Sequence, residues 1–323
     1  MGDLLGNLFS FVNSLPGATA EGLIWGIMAI GVYITFRLLD ISDLTVDGSF
    51  CTGGAVCAAM LTAGAPVWVA MFVAFLAGML TGLVTGFLHT RCRIPAILAG
   101  ILTQIGLWTV NYLVMNSKST MAIIEGNYKL FVARVFQDDV IMGLKPFYYY
   151  PIFSVGVFTA AIIALLYWFF GTERGASIRA TGANENMARA QGINTNFNKL
   201  IGLMLANGLV ALSGALLAQY KGSADINMGR GAIVIGLASV IIGEVIFGRI
   251  FKNFALKLAS VSLGAIVYYI VIQAVISLLD VDSQYMKLFS AIVVALFLTI
   301  PNLRSSGHPK HHTNTQSKEV QHA

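Results

Sequence analysis

An all-α fold, a polytopic membrane helix bundle of about nine transmembrane segments, follows from three features of the sequence. Apolar residues make up 57% of the chain and charged residues 11%, with a mean hydropathy of +0.77; a water-soluble domain of this size needs far more polar surface. The apolar residues are gathered into long runs, and a helix needs about 20 of them to cross roughly 30 Å of hydrocarbon. Between the runs stands one long polar stretch, Gly171 to Lys199. The chain divides into an amphipathic interfacial segment (1–20), one transmembrane domain (21–301) and a disordered cytoplasmic tail (302–323).

The first twenty residues are expected to form a short helix on the membrane surface. Leu4, Leu8, Phe11 or Val12, and Leu15 fall on one helical face, with Asn7, Ser10, Asn13 and Ser14 elsewhere. Pro16 and Gly17 then turn the chain. No Lys or Arg precedes the apolar part and no cleavage pattern follows, so this is not a secretory signal. Whether the helix enters the bilayer is left open.

Hydrophobic segments follow at Glu21 to Leu38, Ser49 to Ala63, Val67 to Leu88, Ile94 to Met115, Phe147 to Phe170, Leu200 to Tyr220, Gly231 to Phe247, Leu258 to Leu279 and Leu288 to Ile300. Pro16, Pro66, Pro95, Pro146 and Pro301 fall at or beside boundaries, where a missing amide does least harm. Gly78, Gly82 and Gly86 form a small-residue stripe, as do Gly202, Ala206, Val210 and Gly214. Such stripes let helix backbones approach closely, within one protein or across a dimer. Cys51, Cys57 and Cys92 lack metal-ligand spacing and read as small packing residues.

The net charge is +5, but Lys and Arg sit mainly in the connections, which points to topology and not to nucleic acid. Placing the polar run 171–199 inside also puts Arg37, Arg91, Arg93, Arg249, Lys252, Lys257 and the basic tail in the cytoplasm. The N-terminus is then outside. The connection from Asn116 to Lys145 is the exception, with Lys118, Lys129, Arg134 and Lys145 on the outer side; it either receives a soluble partner or forms a simple cap.

The second half of the polar run can be drawn as a short helix opened by Asn184 or Glu185, carried by Met187, Ala188 and Ala190, and stopped by Gly192. A short helix between two membrane helices either meets something at the membrane surface or is one turn in a solvated loop. Arg179, Ala180, Gly182, Asn184, Ala188, Gly192, Ile193 and Asn194, followed by a small-residue-rich helix, resemble the cytoplasmic coupling loop of ABC importer permeases. The nearest group is the branched-chain amino acid and simple sugar permease family, including tryptophan/tyrosine permeases. The resemblance extends from about Gly22 to Ile300, and its other strong pieces are DLTVDGSF at Asp43 to Phe50 and the segment Met228 to Gly248.

That resemblance implies a permease subunit of a bacterial ABC importer in the cell membrane, with a coupling helix that docks into an ATPase subunit. The ATPase-coupling residues would be Arg179, Gly182, Asn184, Glu185, Ala188, Arg189, Gly192 and Asn194. It implies as partners two ABC ATPase subunits, an external substrate-binding protein and a second permease copy, most simply as a homodimer in membrane lipid. ATP and Mg would be held by the ATPase, with no cofactor on this chain. The substrate it implies first is an aromatic amino acid, tryptophan or tyrosine; branched-chain amino acids, nucleosides and simple sugars stay open.

Fifteen residues rising about 1.5 Å each reach only about 22 Å, so the second segment is short or discontinuous. Part of Leu44 to Ser49 would then lie at membrane depth as irregular backbone, buried in protein or lining a watery cavity. Thr45, Asp47 and Ser49 become translocation-path candidates; the alternative is that Asp47 caps the second helix. Gln104 and Asn111 share one face of the fourth segment, and Asn207 sits in the sixth; each either lines a pathway or ties helices together. Glu244 is an ionisable residue inside an apolar segment, expected to pair with Arg249 or a coupling-loop arginine. A proton-coupled secondary transporter using Glu244 and Asp47 is the alternative function. A membrane scaffold resting on the small-residue stripes is a third.

No catalytic residues and no metal site emerge. There is no GxxxxGK[ST] phosphate loop, and His89 stands alone. The histidines of the tail, His308, His311, His312 and His322, either bind metal or belong to a disordered segment.

Overall fold

The computed structural model describes residues 2–123, 130–132, 151–248, 250–251 and 253–279, with isolated positions at 288, 291–295 and 299. Ten α-helices appear among them: α1 (Gly2–Tyr33), α2 (Val46–Thr62), α3 (Val67–Thr90), α4 (Ala96–Val114), α5 (Pro151–Gly171), α6 (Glu173–Ala183), α7 (Glu185–Ala190), α8 (Thr195–Lys221), α9 (Ala232–Phe247) and α10 (Phe254–Leu279). Six are long and apolar enough to cross a membrane, while α2 and α9 are shorter apolar helices. This is a multi-pass helical bundle. Its span count is six long helices plus two short ones among the described residues, and the expected ninth segment lies in part outside them.

The expected turn at Pro16 and Gly17 is absent, because α1 runs unbroken through Pro16. A π-helical turn, Ile34–Leu38, extends its far end. The class also needs one amendment. Two short antiparallel strands, β1 (Thr120–Ala122) and β2 (Ser223–Asp225), close the end of the bundle opposite α6 and α7, where Lys221 pairs with Glu21 at 3.1 Å. Pro66 and Pro95 stand immediately before α3 and α4, where a proline costs no hydrogen bond.

Helices α1 and α8 form the centre, and α3, α4 and α5 surround them with mostly exposed apolar faces. The glycine stripe of α3 lies on α8: a Cβ at Gly78, Gly82 or Gly86 would run into Asn207, Leu203 or Leu200. On α8, Ala206 meets Gly31 of α1 and Gly214 meets Phe50 of α2. Both stripes therefore serve packing within the chain. Cys51 and Cys57 are buried in this packing, but Cys92 is exposed in the turn after α3, which corrects its reading as a packing residue.

Candidate functional site: a buried polar cluster and a polar two-helix loop

The chain does something unusual between α1 and α2. Arg37, on the π-helical turn, bonds both oxygens of Glu244 near the end of α9, at 2.9 and 2.5 Å. Only ten residues later, Asp47 accepts from the amides of Gly231 and Ile233 at the start of α9, at 3.0 and 2.9 Å. Ile233 and Glu244 are separated by eleven residues of helix, about 17 Å at 1.5 Å each. The connection 39–45 therefore climbs back along α9 into the bundle before α2 begins. The irregular backbone is 39–45 instead of 44–49, and Asp47, Gly48 and Ser49 are already helical. Asp47 caps a helix, but that helix is α9 and not its own: the free amides at the α9 start need an acceptor, and Gly231, at φ 85°, turns them toward it.

A closed polar network fills the place where this connection meets the bundle. Asp43 accepts from the Thr45 amide at 2.9 Å and from Asn207 Nδ2 at 2.7 Å. Asn207 Oδ1 accepts from Ser49 at 2.6 Å, and the Ser49 hydroxyl also lies 2.7 Å from that of Thr81. Thr45 meets Thr85 at 2.7 Å, and Thr85 donates to Thr103 at 3.0 Å. All these side chains are buried, so four helices and the connection are tied by bonds made without competing water. Of the expected path residues, Thr45, Ser49 and Asn207 are thus brought together, and Asp47 lies beside them. Gln104 is half-buried on α4, and Asn111, two turns further along the same helix, is buried with its Oδ1 unpartnered among the described residues. Asp43, Thr81, Thr85 and Thr103 were missed as members; only the DLTVDGSF run and the positions of Thr81 and Thr85 beside Gly82 and Gly86 hinted at three of them.

Glu244 pairs with Arg37, not with a loop arginine. Arg249 lies outside the described residues. A groove of about 340 Å³ between α3, α5 and α8 is lined by Trp68, Phe72, Phe158, Leu165 and other apolar side chains, and none of the cluster's polar side chains lines it.

The polar run folds into two helices where one was expected. Thr172 caps α6, accepting from the Gly175 amide at 3.4 Å. Asn184 caps α7, accepting from Met187 at 3.0 Å, and Asn194 caps α8, accepting from Phe197 at 3.1 Å. Gly192 takes φ 82° at the turn between them. Asn198 of α8 donates to Ser177 and Thr181 of α6 at 2.7 and 2.9 Å, anchoring the loop to the bundle. Ala188 is buried within the loop, Gly182 lies against Leu38, and the Arg179 guanidinium stands 5.7 Å over the Phe254 ring. The exposed tip is Met187, 60% exposed, with Asn186 and Arg189.

Glu185 holds the tip together by pairing with Lys199 at 2.7 Å and Arg189 at 2.7 Å. The Lys199 ammonium, aided by Thr195 and Arg189, keeps its carboxyl below the ordinary glutamate range. A lowered folded pKa stabilises the loop above the unfolded pKa, and that contribution fades as pH falls through the folded value. Protection factors across 187–194, which allow for the slower intrinsic amide exchange in acid, are expected to fall on acidification, by a small amount because Glu185 is about one-third exposed. Lys199→Met should flatten the response; an unchanged profile would remove Lys199 as its cause.

The family described as branched-chain amino acid transport system, permease component, matches residues 17–300. A tyrosine transport system permease protein of Clostridioides difficile (strain R20291) is 36% identical over 296 residues, covering 91% of this chain and 94% of its own length. An uncharacterized protein of Rickettsia prowazekii (strain Madrid E) is 30% identical, over 91% of this chain and 99% of its own. The ribose import permease protein of Escherichia coli (strain K12) is 26% identical, over 91% and 87%. No solved structure gives a significant match. With a match that spans the whole helical bundle, the chain belongs to the branched-chain amino acid transport permease family and is a permease component of an ABC-type transporter.

Proposed function

We propose that this chain forms the translocation pathway for an aromatic amino acid and is driven by ATP hydrolysis on separate ATPase subunits. ATP and Mg belong to that partner. The observation that carries the coupling half is the α6–α7 loop: a capped, internally paired helix whose tip presents Met187 and Arg189 to solvent while Asn198 and Gly182 tie its base to the bundle. An apolar side chain held out at 60% exposure on a well-ordered polar loop is what a docking contact requires. The tyrosine transport relative supports the aromatic substrate. A second copy of the chain completes the pathway, an external binding protein delivers the solute, and the loop faces the cytoplasm with the N-terminus outside, as the distribution of Lys and Arg favours. Thr45, Asp47, Ser49, Gln104, Asn111 and Asn207 are the path candidates. The polar cluster acts as the fixed wall against which the pathway opens.

Ala188 faces inward, so the contact is tested at Met187. Purified in mild detergent from its own cells, the intact chain is expected to bring an ATP-hydrolysing subunit with it. The double variant Arg179→Glu, Met187→Glu should lose that subunit, with binding weakened by about thirtyfold or more if each change costs more than about 1 kcal/mol. Co-purification unaffected by both charges, or no ATPase with the intact chain, sinks the docking reading. Uptake of labelled tyrosine, competed by tryptophan but not by ribose or leucine, tests the substrate.

A further inference from the structure

The π-helical turn at the end of α1 touches both the loop and α9. Its last residue, Leu38, presents a carbonyl oxygen directly to Gly182 of α6, where a Cβ would overlap it. The next side chain, that of Leu39, packs on Gly202 of α8. One residue before Leu38, Arg37 holds Glu244 through two parallel hydrogen bonds at 2.9 and 2.5 Å. The backbone here is under-wound: Leu39 donates to Ile34 at 3.1 Å and Ile41 to Thr35 at 2.9 Å, five and six residues back. Turns of this kind insert one extra residue into a helix and interrupt its regular register. Helix α9 is held at its other end by Asp47, beside the buried cluster.

We propose that the Arg37–Glu244 ion pair is the joint that passes displacement of the α6–α7 loop to α9, with the Gly182–Leu38 contact as its input. This rests on the reading of that loop as a docking element. The chain of contacts is short and physical: loop backbone on turn backbone, turn guanidinium on α9 carboxylate, and α9 start on Asp47. A planar, two-bond pairing suits such a joint, because it resists rotation where a single contact would swivel. The pair is also well exposed, 52% and 32% for its side chains, so little of the fold's stability rests on it and its removal leaves the bundle standing. Arg37 and Glu244 act here as positioning residues.

The test uses the full chain in lipid nanodiscs, reading amide exchange over residues 240–248, and needs no ATPase. Arg37→Gln is expected to speed exchange there about fivefold, the scale of one exposed ion pair. Gly182→Ala, a wedge against the turn, should do the same in the wild-type background and add nothing in Arg37→Gln. The exchanged pair, Arg37→Glu with Glu244→Arg, should restore both the slow exchange and its sensitivity to Gly182→Ala. The proposal is overturned if Gly182→Ala leaves residues 240–248 unchanged, or if its effect persists undiminished without the ion pair. Because docking is judged separately by co-purification, failure of either reading leaves the other's result legible.

Discussion

Asn207→Leu is expected to destabilise the bundle by about 3 kcal/mol, the cost of removing a hydrogen bond to a charged group and stranding its partner. Asn207 is the hub of the buried cluster: its amide donates to Asp43 at 2.7 Å, and its carbonyl oxygen accepts from Ser49 at 2.6 Å. Leucine fills the volume but leaves the Asp43 carboxylate with only the Thr45 amide among the described groups, in a place with almost no access to water. Denaturant unfolding in detergent micelles measures the loss. Adding Asp43→Asn to Asn207→Leu should recover part of it, because a neutral amide is far easier to bury than a carboxylate. Asn111→Leu serves as the comparison. That side chain is equally buried, but its Oδ1 has no partner among the described residues, so its loss should cost about 1 kcal/mol or less. Equal effects at positions 111 and 207 would mean that the network contributes nothing beyond filling space.

Gly53→Val is the other severe change. Helices α2 and α8 cross with Gly53 against the backbone of Ala211, so any Cβ would overlap that carbonyl oxygen. Backbone cannot step aside as a side-chain end can. The helices must separate, opening the contacts of Phe50 with Gly214 and of Ser49 with Asn207. Overpacking usually costs about 1–3 kcal/mol, and a forced separation of two central helices lies at or beyond the upper end of that range. The yield of monodisperse protein on size-exclusion chromatography should collapse. Gly106→Val on α4, where a Cβ meets nothing within 4 Å, should leave it intact. Comparable yields from both variants would rule out close backbone approach as the reason for glycine at position 53.

Two features show where local reading succeeds and where it stops. The cap of α7 was legible because Asn184 acts on an amide three residues away, and Gly192 ends a turn where a left-handed residue is needed; Asn194 caps α8 in the same way but was not read so, because the span was taken to begin only at Leu200. The first half of the same run was not recognised as helical: α6 has little apolar pattern of its own and is held by Asn198, a residue of the following span. Pro16 misled for a related reason. Local propensity predicts a break, but a proline in a membrane helix is tolerated when neighbouring helices hold the chain.

The sequence by itself determined the class, most of the apolar segments, the glycine stripes and the capping of α7 by Asn184, because hydrophobic run length, small-residue spacing and capping all act within one or two turns of the chain. Only the tertiary structure decided the polar partners. Glu244 finds Arg37 at a separation of 207 residues, Asp47 reaches Ile233 across 186, and Asn207 binds Asp43 across 164. No periodicity encodes those distances. They arise because the connection after α1 climbs back into the bundle, and in an apolar interior every buried donor and acceptor must take the polar group that helix packing brings to it.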